Sequence, residues 1–207
     1  MTEQKPRISP VSSNIQLLVE GNDHKNFFEA FLVHLSLADV QIHDFGGVDN
    51  LRNFLLALVK AERFHETVQS VGIVRDAEES ENAAFQSVQS SLRNAKLSVP
   101  NRHGERIGHS PAVTVLILPG GGRAGMLETL LCQSIADSPE RTCIDAFFQC
   151  VRELHGENIK RPDKACAHAY LATRPDPHVS VGVAAKKRYW NLDHSVLGGI
   201  SQFLSGL

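Results

Sequence analysis

Apolar residues fall into short runs that alternate with helical stripes. Ile15-Gln16-Leu17-Leu18-Val19, closed by Glu20-Gly21, is too brief for a helix and predicts a buried strand. Asn22 or Asp23 supplies an N-cap, after which Phe27, Phe28, Phe31, Leu32 and Leu35 recur at the spacing of one helix face. The cycle repeats: Val40 to Phe45 predicts a strand, Gly46-Gly47 its turn, and Asp49 the cap of a helix carrying Leu51, Phe54, Leu55 and Leu58. A third cycle joins Val71-Gly72-Ile73-Val74 to a helix capped by Ser80, with Phe85, Val88 and Leu92 on one face. Leu97 to Pro111 reads as an exposed loop or ragged hairpin, and Val113 to Leu118 is the fourth and most apolar strand. Pro119-Gly120-Gly121-Gly122 ends that strand ahead of a helix containing Met126, Leu127, Leu130 and Leu131. Further helices are expected at Arg141 to Leu154, Asp163 to Ala172 and Ser195 to Leu204. Alternating strands and helices imply an α/β protein whose parallel sheet is covered on both faces.

Composition narrows the class. The 207 residues are 42% hydrophobic and 21% charged, which excludes disorder, collagen and coiled coil and fits one domain. Residues 1–13 read as a flexible leader, and 14–207 as a single domain with a C-terminal helical extension from about 140. With 21 Lys+Arg against 23 Asp+Glu, the net charge of -2 provides no global basic field, so any nucleic-acid contact must be local. The N-terminus lacks an apolar signal core, and no run approaches the roughly 18 residues of a membrane span, so a cytoplasmic protein without a membrane partner is expected. Cys132, Cys143, Cys150 and Cys166 form no C-x-x-C pair, which suits a reducing compartment; Cys143 and Cys150, a heptad apart, read as core-filling thiols on one helix face.

Candidate chemistry gathers where strands end. Glu20 follows the first strand, and Asp76 and Glu78 follow the third, at the edge of a parallel sheet where ligands bind. Two carboxylates at i and i+2 on an extended segment project to the same side, so Asp76 and Glu78 are expected to share one cation with Glu20 approaching from a neighbouring strand. Oxygen-only ligands favour Mg²⁺ or Mn²⁺ over zinc. The alternative is a set of solvated loop carboxylates or helix caps.

Val19-Glu20-Gly21 and Asp76-Ala77-Glu78, each placed after a strand, resemble the Toprim domain shared by topoisomerases, bacterial primases, recombination proteins and OLD-family nucleases. More narrowly, three sets of segments are similar to small stand-alone Toprim-like proteins of unknown function: Phe45 to Leu51, Ile117-Leu118-Pro119 running to Met126-Leu127-Glu128, and Ala184 to Trp190 ahead of Phe203-Leu204. The resemblance implies a Rossmann-like, mostly parallel sheet of about four strands flanked by helices. It also implies Mg²⁺-dependent phosphoryl transfer, most simply a nuclease, with Glu20, Asp76 and Glu78 as metal and catalytic residues. The family's D-x-D pair is Asp-Ala-Glu here, and Arg75 stands beside it. By comparison with OLD-like nucleases, Glu128 is a further metal ligand, and Lys186 or Lys187 a phosphate or nucleic-acid contact. Those systems couple the domain to an ATPase, so a chain without a P-loop is also readable as a binding or regulatory module for a separate ATPase or nucleic-acid-processing protein. Homo-oligomerisation is open.

The remaining motifs are less specific. Gly120, Gly122 and Gly125 satisfy G-x-G-x-x-G, but the pattern comes last, helices follow it, and no Gly-Lys-Ser/Thr marks a Walker A loop. Its glycine turn, with Gly121, Gly122 and Arg123, could accept a phosphate, as could Gly21 and Gly46-Gly47. Lys186-Lys187-Arg188 equally suits a solvated helix face, and neither Tyr170 nor Tyr189 is marked as a nucleophile. No zinc spacing links the ten histidines; His24, His43 and His109, near strand ends, are assigned surface or capping roles, the alternative being that one of them acts in proton transfer.

Overall fold

Strand β1 (Ile15–Val19) lies at the centre of events because the chain leaves it in one direction and returns in the other. Helix α1 (Asn22–His34) carries it to β2 (Val40–Asp44), which pairs with β1 in parallel. A short 3₁₀ turn, α2 (Leu51–Leu58) and α3 (Phe64–Thr67) then lead to β3 (Ser70–Asp76) on the opposite side of β1. Helix α4 (Glu81–Asn94), β4 (Arg106–Ile107) and β5 (Ala112–Leu118) complete a five-stranded sheet in the order β2-β1-β3-β5-β4. All pairings are parallel except β4 with β5. The protein, described from a computed structural model over residues 8–207, is thus α/β with a mostly parallel, Rossmann-like sheet. The fifth strand, β4, is the ragged hairpin of the 97–111 segment, pairing Ile107 with Val113.

Period-two alternation sorts the strand residues between two cores. Leu18, Val71, Ile73, Val113, Val115 and Ile117 face α2, α3 and α4, whereas Leu17, Val19, Val74, Leu116 and Leu118 face α1 and the C-terminal helices. These last are α5 (Leu127–Ser134), α6 (Pro139–His155), α7 (Pro162–Leu171), α8 (Val181–Lys186) and α9 (Gly198–Ser205). Each fully buried Leu or Phe contributes about 1.5–3 kcal/mol relative to exposure, and α1 alone buries Phe27, Phe28 and Phe31 completely. One polar link crosses the sheet interior: His43 Nε2 and Gln16 Oε1 lie 2.7 Å apart, both residues buried. Burial and the charge of Lys25 hold His43 down to about 4, so a neutral ring donates to the amide oxygen. His43 is therefore a core residue rather than a surface cap.

Three further expectations need correction. Cys143 and Cys150 are exposed on α6, while Cys132 and Cys166 are the buried thiols. Residues 1–7 of the expected leader lie outside the described residues, but beyond them Val11 is buried and Gln41 donates to the Pro10 carbonyl at 2.9 Å, so the approach to β1 is packed. Helix α8, which no stripe announced, packs directly on the backbone of α1. A side-chain carbon at Gly182 would lie 2.1 Å from the Asp23 carbonyl oxygen, and the Gly182 N–H donates to Asp23 Oδ1 at 3.2 Å.

That approach generates a paired prediction. Gly182→Ala forces α8 off a rigid backbone atom and should cost about 1–3 kcal/mol, whereas Gly199→Ala, in open space on α9, should stabilise by about 0.5–1 kcal/mol. Denaturant unfolding of the two variants checks both signs.

Candidate functional site

The strand order reverses between β1 and β3, and at such a switch point the loops leaving the carboxyl ends diverge and open a crevice. Glu20 leaves β1 and Asp76 ends β3 at that point, in a cavity of about 220 Å³. The same cavity receives Gly21, Gly47, Glu78 and Glu128, together with His24 and Lys164. The first turns of α1, α5 and α7 therefore converge on it, bringing His24, Glu128 and Lys164 respectively. Helix N-termini carry partial positive charge, which favours carboxylates there.

Asp76 is the most constrained of the group. Its side chain is 9% exposed, and Oδ1 accepts both the Leu127 N–H at the start of α5, at 3.0 Å, and a contact from His24 Nε2 at 3.1 Å. The Asp76 N–H in turn donates to Glu20 Oε2 at 3.2 Å, tying the ends of β1 and β3 together. Burial first, and the Asp76 charge second, push the Glu20 carboxyl above its ordinary value. Burial likewise raises Glu128, with Asp76 adding to the effect. Burial opposes the charged form of His24, but Asp76, Glu20 and Glu128 outweigh it and leave its pKa raised.

The expected geometry of Asp76 and Glu78 is not what folds. The extended backbone ends at Asp76; Glu78 adopts a left-handed φ of 52°, pairs with Gly125 through its own N–H and carbonyl, and is exposed. The two carboxylates thus approach the cavity from different directions rather than as neighbours on one strand face. Arg75 does not compete for Glu78, because it donates to the Ala84 carbonyl on α4.

Several expected contacts lie away from the cavity. Lys186 donates to Glu29 at 2.5 Å and Asn26 at 2.6 Å, and Lys187 pairs with Asp176 at 3.0 Å, so both have partners on the outer surface. In the glycine loop, the Gly122 N–H donates to Glu81 at 2.7 Å and Arg123 to the Gly120 carbonyl at 3.2 Å; exposed Gly121 lies between them. Gly46 is exposed and donates to Asp44, whereas Gly47 reaches the cavity, its N–H donating to the Glu20 carbonyl at 2.8 Å. With φ of 75° and 100°, this pair makes a turn that side-chain-bearing residues rarely adopt.

Two cavity residues were misread or missed in the sequence. His24 is buried, contrary to the surface role assigned to it, whereas His109 is exposed as expected. The signal for His24 was its place on the same stripe as Phe27, Phe28 and Phe31. Lys164, 3.9 Å from Glu128, carried no local signal, because α7 is far away in sequence. A larger groove of about 620 Å³ runs between α1 and the segment after α8; in it Lys186 pairs with Glu29 and His34 with Asp193, and Arg188 also lines it. The smaller cavity, where the acids expected from the sequence gather, is the candidate site.

The donor chemistry there suits a hard divalent cation: the acids supply only oxygen, and burial and mutual repulsion make two of them resist ionisation. Among the described residues, however, no three His, Cys, Asp or Glu side chains are grouped closely enough to hold a metal ion. His24 supplies part of the missing positive charge.

His24 generates a pH prediction. Its folded-state pKa lies above the ordinary 6.5, so its contribution is fully present below about 6.5 and is lost as pH rises through the folded value. His24→Gln keeps an amide donor but no charge. It should cost about 1–3 kcal/mol near pH 6 and clearly less near pH 9, as read by urea unfolding at both pH values. An equal loss at the two would refute a charged His24.

Comparisons with known proteins place the chain as follows. No curated protein matches it. Among solved structures it is similar to the C-terminal region of the OLD protein of Xanthomonas campestris pv. campestris. The mercury-phased structure matches at 10% identity and TM-score 0.39, covering 94% of this chain and 86% of that one. The platinum-phased structure matches at 14% identity and TM-score 0.41, covering 94% and 98%. In the described residues no helix is long and apolar enough to cross a membrane. Over residues 14–207 the sequence matches a family model, and the chain belongs to the family described as protein of unknown function (DUF3226).

Proposed function

We propose that this chain is a Toprim-like module for Mg²⁺- or Mn²⁺-dependent phosphoryl transfer, a nuclease acting on DNA or RNA phosphodiesters. The observation that carries the reading is the convergence of Glu20, Asp76, Glu78 and Glu128 with Lys164 at the switch point of the sheet. Asp76, with Oδ1 fixed by the α5 amide, and Glu20 beside it would hold the ion; Glu78 and Glu128, which line the same cavity but are not grouped with them closely enough to ligate, would have to draw in to complete its oxygen shell. A bound ion there would supply Lewis-acid chemistry, neutralising phosphodiester charge and favouring attack by water. Glu20, whose carboxyl is raised by burial and by the Asp76 charge, is the acid suited to taking and returning a proton. Lys164 is the cation positioned to meet a phosphate in the cavity, taking the role expected of Lys186 or Lys187.

A second reading has its own observation. His24 and the α5 amide already compensate Asp76, so the buried carboxylate is supported without an ion, as a non-catalytic module serving a separate ATPase would require. The two readings diverge in one experiment: calorimetric titration of metal-free protein with Mn²⁺, followed by cleavage of plasmid and single-stranded substrates. Under the nuclease reading, wild type binds and cleaves, Asp76→Asn loses both by at least about a hundredfold while its melting curve stays cooperative, and Lys164→Ala cleaves less with metal affinity retained. Undiminished cleavage by Asp76→Asn would sink the assignment, and binding without cleavage by wild type would favour the module.

A further inference from the structure

We propose that Cys132 and Cys166 form a redox-active dithiol, a modification site at which peroxide closes a disulfide between α5 and α7. Thr129 Oγ1 of α5 meets Asp163 Oδ2 of α7 at 2.5 Å. Three residues later on both helices stand Cys132 and Cys166, so the next rung of the same pairing sets thiol against thiol. Each thiol is within hydrogen-bonding reach of the other. Cys132 Sγ also donates to the Asp163 carbonyl at 3.2 Å, on the turn over which the Cys166 side chain lies. The two rungs make α5 and α7 run side by side in the same direction, the arrangement in which one link between them needs no change of register. Both cysteines are 4% exposed, and neither belongs to the cavity, whereas Cys143 and Cys150 are exposed on α6.

The two thiols are unequal, which assigns their roles. The Cys132 thiol first, and the Arg141 guanidinium after it, hold Cys166 below the usual thiol range against the effect of burial, while the contact with Cys166 and burial push Cys132 up. Cys166 is thus the attacking thiolate and Cys132 the resolving thiol. The Cys166 sulfur attacks hydrogen peroxide, forming an S–O bond and breaking the O–O bond; the hydroxide released takes up the proton that Cys166 gave up and leaves as water. The Cys132 sulfur then displaces the hydroxyl from Cys166, which departs with the Cys132 proton as a second water, and the S–S bond forms. Two thiols lose two electrons and one peroxide becomes two waters. Access is through α6: Arg141 Nη1 donates to the Cys132 carbonyl at 3.2 Å, yet Ile144 is the single buried residue of that helix, so a local opening that admits a water-sized oxidant exposes little apolar surface. Glu128 lies one turn before Cys132 and Lys164 two residues before Cys166, so the link ties together the helices that bring these two residues to the cavity.

The test treats the full chain with limiting hydrogen peroxide, both as wild type and as the double variant Cys143→Ser with Cys150→Ser, whose changes fall on exposed positions. Peptide mapping of both proteins should find Cys132 joined to Cys166 within one chain. In the double variant the two remaining thiols should disappear together with the loss of two hydrogens, and dithiothreitol should restore them. Adding Cys132→Ser to that background should leave Cys166 as a sulfenic acid that dimedone traps, whereas adding Cys166→Ser should slow oxidation of the remaining thiol at least about tenfold. The closed link should raise the urea midpoint of the double variant, and reduction should return it. Thiols at 132 and 166 that stay free in the folded double variant overturn the proposal. So do a link that forms only in urea, one that joins two chains, and one that lowers the midpoint. Equal oxidation rates with either cysteine replaced overturn the assignment of Cys166 as the attacking thiol.

Discussion

A single buried carboxylate organises this molecule. Taking an ionised Asp out of water costs several kcal/mol unless its charge is met, and Asp76 meets that requirement with the first amide of α5 and the ring of His24. Its own backbone N–H is bound by Glu20. One residue at the end of β3 thereby connects β1, α1 and α5. The crevice at the switch point is defined by these polar contacts, because the strands beneath it are held by apolar burial on both faces.

The same contacts set the electrostatic character of the cavity. Five acids, Glu20, Asp23, Asp76, Glu78 and Glu128, share a small space with His24 and Lys164. Glu20 and Glu128 are raised by burial before any charge is counted, and His24 is raised in spite of burial. The group as a whole is short of positive charge, and the convergence of helix N-termini only softens the deficit. A cation, a proton on His24 or the ammonium of Lys164 each relieves the same imbalance, so metal affinity and protonation are expected to be linked in this cavity.

The C-terminal helices complete the site rather than decorate it. Helix α7 delivers Lys164, and α8, pressed against α1 at Gly182, contributes Val181 to the cavity wall. Helix α6 stands apart: it covers the core with one strip and leaves the neighbouring strip uncovered. The cysteines follow this division, buried on α5 and α7 but exposed on α6.

What the sequence determined by itself was the alternation. Runs such as Leu17-Leu18-Val19 and the Phe27, Phe28, Phe31 stripe encode strand and helix through period and length, and acids after the strands marked the edge where the cavity lies, because these signals are local. Tertiary structure decided the rest. The backbone reversal at Glu78 depends on its pairing with Gly125, 47 positions away in the chain, so i, i+2 logic failed there. Heptad spacing placed Cys143 and Cys150 on one face without saying that the face would look outward. Lys186 and Lys187 found acids on the surface while Lys164, unremarkable in sequence, entered the cavity. In each case spacing fixes only a direction around a helix or along a strand; the neighbour that fills that direction comes from a distant segment, and burial and charge are properties of the neighbour.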